Sequence, residues 1–129
     1  MERFCKLLAI SCWLLLASCQ EGREAGDLLG QWRLSDTKYI SFSGSVVQFR
    51  NVVDNTWTMG VFGNFQHVGD SIFIQCYSIM EEDHENDINL IENEFGFKPF
   101  NNIRVKVVTL DDDNLILNKG EHQWALRKY

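Results

Sequence analysis

Residues 103–129, IRVKVVTLDDDNLILNKGEHQWALRKY, hold three short runs in which apolar and polar side chains alternate. The turn residues at 111–114 and 120–121 separate these runs. Successive side chains of a β-strand point to opposite faces, so this alternation predicts strands with one buried face. The stretch therefore predicts consecutive antiparallel strands joined by tight hairpins.

Six further runs with the same spacing precede this stretch, and turn residues separate them. The residues that share a face in these runs are Trp32 and Leu34, Ile40 and Phe42, Val47 and Phe49, Trp57 with Met59 and Val61, and Phe65 with His67; the sixth run is 71–78. Nine such runs predict an all-β fold. We expect an up-and-down antiparallel meander that closes into a barrel, because closure removes exposed strand edges.

One segment interrupts the strand pattern. Ile88, Ile91 and Phe95 are spaced three and four residues apart, which is the period of an amphipathic helix. Asn86 suits the start of such a helix and Gly96 suits its end. We therefore expect one short helix over 86–95 that packs its apolar stripe against the barrel or over one mouth.

The chain begins with MERFCKLLAISCWLLLASC, which has the parts of a secretory signal. Arg3 and Lys6 make a positive start, and the apolar stretch 7–17 follows. This stretch is shorter than the roughly 20 residues that a permanent membrane span requires. Leu16-Ala17-Ser18-Cys19 resembles the lipobox of bacterial lipoproteins. The resemblance implies cleavage before Cys19 and attachment of acyl chains, such as palmitate, to that residue.

These features predict a lipoprotein in three parts. We expect 1–18 to be the signal peptide, 19–27 to be the lipidated cysteine with a polar tether, and 28–129 to be a single domain. The lipid on Cys19 would hold the protein to a membrane of the cell envelope. In many Gram-negative bacteria an aspartate after that cysteine signals retention at the inner membrane. Gln20 stands there, so we expect the outer membrane, in either leaflet.

The mature chain from Cys19 carries 10 basic and 17 acidic side chains, a formal charge of −7. An acidic chain without a basic stripe disfavours nucleic acid as a partner. Cys76 is the one cysteine beyond the lipobox, so no disulfide forms within the domain. It lies in an apolar run, which predicts a small buried hydrophobic side chain rather than a nucleophile.

Two landmarks in the predicted strands resemble lipocalins and related calycins. Gly30-Gln31-Trp32 is similar to their Gly-x-Trp motif, and the last strand from Trp124 to Arg127 and Lys128 looks like their closing strand. The turn at 110–117 is similar to one common in small lipocalin-like lipoproteins of Bacteroidetes. The resemblance implies a barrel-closing motif of Gly30, Trp32 and Arg127 at the closed end. It also implies a small apolar or amphipathic ligand in the barrel mouth.

The predicted inward-facing side chains could line such a ligand site or fill the barrel themselves. They are Trp32, Ile40, Phe42, Phe49, Trp57, Met59, Phe65, Ile74 and Trp124. We assign Trp57, Met59 and Phe65 to the open end as candidate ligand contacts. A filled barrel predicts a different function, a structural or interaction module that docks on another envelope protein.

The acidic run 81–94 partly matches a calcium-loop template, with oxygen-bearing side chains at its ligand positions. The template requires glycine at its sixth position, where this chain has Ile88, so we expect a solvated helix start instead. The three histidines have no metal-ligand spacing, and no nucleophile elbow or phosphate loop occurs. We therefore expect no metal site, no cofactor and no enzymatic activity.

Overall fold

The computed structural model describes residues 25–129. Cys19 and the predicted signal peptide lie outside the described residues. Nine strands follow one another along this part of the chain. Their bounds are β1 Gly30–Arg33, β2 Lys38–Ser43, β3 Val46–Val53, β4 Thr56–Trp57, β5 Val61–Val68, β6 Ser71–Tyr77, β7 Ile103–Leu110, β8 Asn114–Lys119 and β9 His122–Lys128.

Eight of these strands form a closed antiparallel barrel, which confirms the predicted all-β fold. Each barrel strand pairs with the next along the chain, and β9 returns to pair with β1 through Trp32 and Lys128. The short strand β4 lies outside this circle and pairs only with the end of β3. A closed barrel leaves no unpaired edge among its eight strands.

The long connection between β6 and β7 holds the helical segment. A 3₁₀ turn at Glu81–Asp83 leads into α1, His84–Asn89, and a π-helical turn at Leu90–Phe95 follows. The predicted helix is confirmed, but it begins earlier than Asn86. Gly96 ends it as expected, in the left-handed conformation with φ of 87°.

The two ends of the barrel differ in what closes them. At one end, which we call the tryptophan end, lie the 3₁₀ turn Gly26–Leu28, the start of β1 and the hairpins from β2, β5 and β7. At the other end, the helix end, lie the β8–β9 hairpin and the helical connection. Ala25 and Leu28 are fully buried, so Ala25, which lies in the stretch 19–27 that we expected to be a tether, belongs to the packed domain.

The prediction of one strand running from Trp57 to Val61 with its apolar residues inward is wrong. Asp54 and Asn55 adopt left-handed conformations and turn the chain back along β3. At Gly60, φ is 75°, and a Cβ atom would lie 1.9 Å from the carbonyl oxygen of Phe49. Only glycine permits this close approach. The segment 56–60 therefore lies outside the barrel wall, and β5 begins as a separate strand at residue 61.

Candidate functional site

The barrel interior is filled by its own side chains. The inward residues of the eight barrel strands include large aromatic groups such as Trp32, Phe42, Phe49 and Phe65, each at most 2% exposed. The rings of Phe42 and Phe65 meet edge to face with centroids 5.0 Å apart. Side chains packed in this way occupy the volume that an axial ligand would need.

The helical connection closes the helix end by inserting two rings. Phe97 stacks on Trp124 with a centroid distance of 4.3 Å, and Phe95 meets Phe49 edge to face at 5.3 Å. The indole Nε1 of Trp124 donates a hydrogen bond of 2.7 Å to the carbonyl oxygen of Phe95. This bond satisfies a buried indole N–H and holds the connection over the mouth.

The tryptophan end is closed by Trp32. Its indole Nε1 donates a hydrogen bond of 2.9 Å to the carbonyl oxygen of Leu28. The ammonium Nζ of Lys128 lies 4.6 Å from the centre of the indole and also donates to the carbonyl oxygen of Leu29. A cation over an aromatic face is stabilised by the quadrupole of the ring.

We expected Arg127 in the barrel-closing motif, but the cation that lies over Trp32 is Lys128. In β9 the buried residues are Trp124 and Leu126, and alternation places Lys128 on their face and Arg127 on the outer one. Gly30 also belongs to this arrangement. A Cβ atom on Gly30 would lie 2.6 Å from Nζ of Lys128, so glycine leaves room for the lysine to cross.

The cavity that best suits a small ligand lies beside the barrel at the helix end, between β6 and the helical connection. We call it the crevice, and its volume is about 640 Å³. One wall is the end of β6 and the residues after it, from Cys76 to Ile79. The opposite wall is the helix face of His84, Ile88 and Glu92, which lie four residues apart and so share one side of the helix.

Hydrogen bonds hold the two walls of the crevice in place. The hydroxyl Oγ of Ser78 and Nδ1 of His84 are 2.9 Å apart across it. The backbone N–H of Phe100 donates to Oε2 of Glu92 at 2.9 Å, and the carbonyl of Phe100 accepts from the N–H of Cys76 at 3.1 Å. The crevice is thus formed before any ligand arrives, which lowers the entropic cost of binding.

A smaller cavity of about 290 Å³, the side pocket, lies on the other side of the segment after β6. It shares Tyr77 and Ile79 with the crevice and adds Met59 and Met80. All four of these side chains are exposed, from Tyr77 at 42% to Met59 at 69%. Apolar side chains grouped around a concave surface are typical of ligand sites.

Cys76 lies in the crevice wall and is 5% exposed, as the sequence predicts for a small buried hydrophobic residue. Burial, and secondarily the negative charge of Asp87, raise the pKa of the Cys76 thiol from 9.0 to about 12. The thiol is therefore protonated at neutral pH and is a poor nucleophile. Its contribution to the crevice is apolar surface.

The structure does not bring the three predicted ligand contacts together. Trp57 packs outside the wall against Tyr39, with centroids 4.5 Å apart, and is 38% exposed. Phe65 is buried inside the barrel beside Phe42, towards the tryptophan end. Met59 alone lines a cavity at the helix end, the side pocket. Whether any of the three contacts a ligand stays a prediction.

Sequence reasoning missed the crevice, although one signal for it was present. The spacing of His84, Ile88 and Glu92 places a mixed polar and apolar face on the helix, beside the purely apolar stripe of Ile91 and Phe95. Such a face is typical of a helix that lines a partly wet cavity. For the opposite wall, residues 76–79, the sequence pattern predicts only the end of a strand.

Other features of the described part of the chain are weaker candidates for a functional site. Another cavity, of about 450 Å³, lies on the outer faces of β5 and β6 and is lined mainly by polar side chains such as Asn64, Gln66 and Gln75. Residues 25–129 contain no group of three or more His, Cys, Asp or Glu side chains placed to hold a metal ion. Within the same residues, no helix has the length and apolar character to cross a bilayer.

Known proteins share this architecture. A family model described as a lipocalin-like domain matches residues 14–129. A lipocalin-like protein from Bacteroides uniformis is 26% identical, with 81% of this chain and 100% of that chain covered and a TM-score of 0.64. An uncharacterized protein from Bacteroides eggerthii has the same fold, at 19% identity, with 78% and 98% covered and a TM-score of 0.63. No curated protein matches the chain.

Proposed function

This chain belongs to the lipocalin-like domain family, and we propose that it is a lipid-anchored envelope protein that binds a small amphipathic ligand in the crevice. Lipocalin-like domains are typically binding folds rather than enzymes. One observation carries the choice of site: the barrel interior is filled, whereas the crevice is an open cavity of about 640 Å³ beside it. That volume lies within the range of small-molecule sites.

The lining of the crevice supports an amphipathic ligand rather than a purely apolar one. Ile79, Ile88 and Phe100 supply apolar surface, while Ser78 and His84 present polar atoms on facing walls. An apolar pocket with a few convergent polar groups orients a ligand that has both characters.

The experiment is a titration of the full chain with 1-naphthalenemethanol, a neutral amphipathic probe, followed by NMR. We expect the amide signals of Tyr77, Ile79 and Ile88, and the methyl signals of the two isoleucines, to shift. Ile88→Trp should weaken these shifts by narrowing the crevice between its walls, whereas Val108→Trp, at a half-exposed position on β7, should leave them unchanged. Shifts confined to interior residues such as Ile40 and Val47 would overturn the proposed site.

A second candidate function follows from the same filled interior. A barrel without space for an axial ligand also fits an interaction module that docks on another envelope protein. The titration separates the two candidates, because an interaction module gives no saturable shift with any small probe. Native mass spectrometry of the chain from its host adds a check, since a bound small molecule of constant mass supports the first candidate.

We propose anchoring through lipid on Cys19, at the outer membrane. The first described residue, Ala25, is buried beside the tryptophan end, and the crevice lies at the opposite end of the barrel. An anchor at Cys19 would therefore favour the tryptophan end as the one nearer the membrane. Cys19→Ala should move the protein from the membrane fraction to the soluble fraction and abolish labelling by palmitate. Cys76→Ala is the matched control and should change neither. If Cys19→Ala still incorporates palmitate, the anchoring proposal fails.

A further inference from the structure

The crevice and the side pocket share an electrostatic character. Neither lining contains a lysine or an arginine. Glu81 lines the crevice, and Asp83 and Asp87 line the side pocket. A partly apolar surface whose lining holds carboxylates but no lysine or arginine has a negative potential at neutral pH, which attracts cations and repels anions.

No cationic side chain of residues 25–129 forms an ion pair with these carboxylates. The ion pairs within residues 25–129 are Arg33 with Asp36, Lys38 with Glu94 and Lys106 with Asp70. No lysine or arginine of the described chain lies within 4.0 Å of a carboxylate oxygen of Glu81, Asp83 or Asp87. The negative charge at the two cavities is therefore available to a ligand.

The field of one of these groups reaches into the crevice. Asp87 lines the side pocket, yet its charge contributes to the raised pKa of Cys76, which lies in the crevice wall. The shared residue Tyr77 adds an exposed aromatic ring between the two cavities. A ring of this kind attracts a cation through its face.

We propose that the ligand is an organic cation, a small molecule that joins a protonated amine to an apolar body. The apolar body occupies the crevice between Ile79 and Ile88, and the ammonium group lies towards Glu81 and Asp87. This inference rests on the proposed function and adds the charge of the ligand to it.

Three probes with one apolar body test the charge: 1-naphthylmethylammonium, neutral 1-naphthalenemethanol and anionic 1-naphthoate. Each is titrated by calorimetry into the full chain in phosphatidylcholine nanodiscs, with empty nanodiscs subtracted. We expect affinity to fall from the cation to the neutral probe to the anion. Added salt should weaken binding of the cation and leave binding of the neutral probe unchanged, because salt screens charges.

Variants test which carboxylates cause the preference for the cation. Glu81→Gln together with Asp87→Asn should weaken binding of the cation by roughly three- to tenfold, as for two partly exposed charge pairs. Binding of the neutral probe should stay the same. Glu82→Gln with Glu85→Gln is the matched control, because it removes two charges from the same segment at residues that line neither cavity.

The outcomes separate this inference from the proposed function. Equal affinity for all three probes, or preference for the anion, overturns the cationic ligand and leaves the crevice as a ligand site. A control variant that weakens cation binding as much as the test variant also overturns it. The effect would then come from the net charge of the segment and not from the carboxylates at the two cavities. If none of the probes binds, the proposed function fails as well.

Discussion

The two ends of the barrel are closed in different ways. At the tryptophan end, Trp32 belongs to a barrel strand. Its partner Leu28 lies in the turn before β1, and its partner Lys128 lies at the end of β9. At the helix end, Phe95 and Phe97 come from the long connection between β6 and β7. The first closure is part of the wall, whereas the second is laid over it.

This difference explains where the cavities lie. The wall at the tryptophan end is held by strand pairing on both sides of Trp32, with Ile40 and with Lys128. The connection at the helix end spans residues 78–102 and contacts the barrel along part of its length, which leaves the crevice beneath it. An inserted segment provides a binding surface without disturbing the strand pattern of the barrel.

Trp32→Ala should produce the largest loss of stability. It removes a fully buried indole, its hydrogen bond to Leu28 and its contact with Lys128. We expect the free energy of unfolding to fall by about 5 kcal/mol, the upper part of the range for such truncations. Urea denaturation measures this, and a loss no larger than that of Phe97→Ala would contradict the distinction between the two ends.

Phe97→Ala should have the next largest effect, about 4 kcal/mol, because it removes a fully buried ring from the helix end. The barrel strands should remain paired, since Phe97 belongs to none of them. Circular dichroism should therefore show the same strand content in this variant. The cavity that it leaves beside Trp124 should also shift the fluorescence of that residue.

The thiol of Cys76 makes stability depend on pH at the helix end. Its pKa is about 12 in the folded chain against 9.0 as the ordinary value, so its contribution is complete below pH 9.0 and is lost as the pH rises towards 12. Over the first two units of that rise, the loss is roughly 2 kcal/mol. Thermal unfolding of wild type and Cys76→Ala should therefore converge in alkaline solution. Parallel curves for the two proteins would contradict the assignment.

Lys128→Met should have the smallest effect, about 1 kcal/mol, the contribution of a partly exposed cation over an aromatic ring. Methionine keeps most of the apolar stem and removes the charge. Arg127→Met is the matched control on the outer face of the same strand and should change stability by less. If Arg127→Met costs more than Lys128→Met, the assignment of the covering residue is wrong.

Alternation and short motifs predict the parts of the fold that local chemistry determines. Period-two spacing locates the barrel strands. The Gly-x-Trp resemblance singles out Trp32, whose indole is fully buried and bonds to Leu28. Helical spacing finds the segment that contains Ile91 and Phe95, and both side chains are buried.

Other features depend on contacts between distant residues and could not be read from spacing. Trp57 and Met59 continue an alternating pattern, but the close approach of Gly60 to Phe49 moves the segment outside the wall. Arg127 and Lys128 are adjacent cations. Alternation gives the face of Lys128, but only the register of β9 with β1 places it beside Trp32. The crevice forms only where the end of β6, around Tyr77, meets the helix around Ile88, and the spacing of apolar residues does not show that these two segments pack together.

A crystal structure of the chain with 1-naphthylmethylammonium bound tests the central claim most directly. The account predicts the naphthalene ring in the crevice, between Ile79 and Ile88, with the ammonium group towards Glu81 and Asp87. Phe97 should remain stacked on Trp124 in that structure, as it is in the free chain. A ring found inside the barrel beside Trp124, with Phe97 displaced from the mouth, would contradict the account.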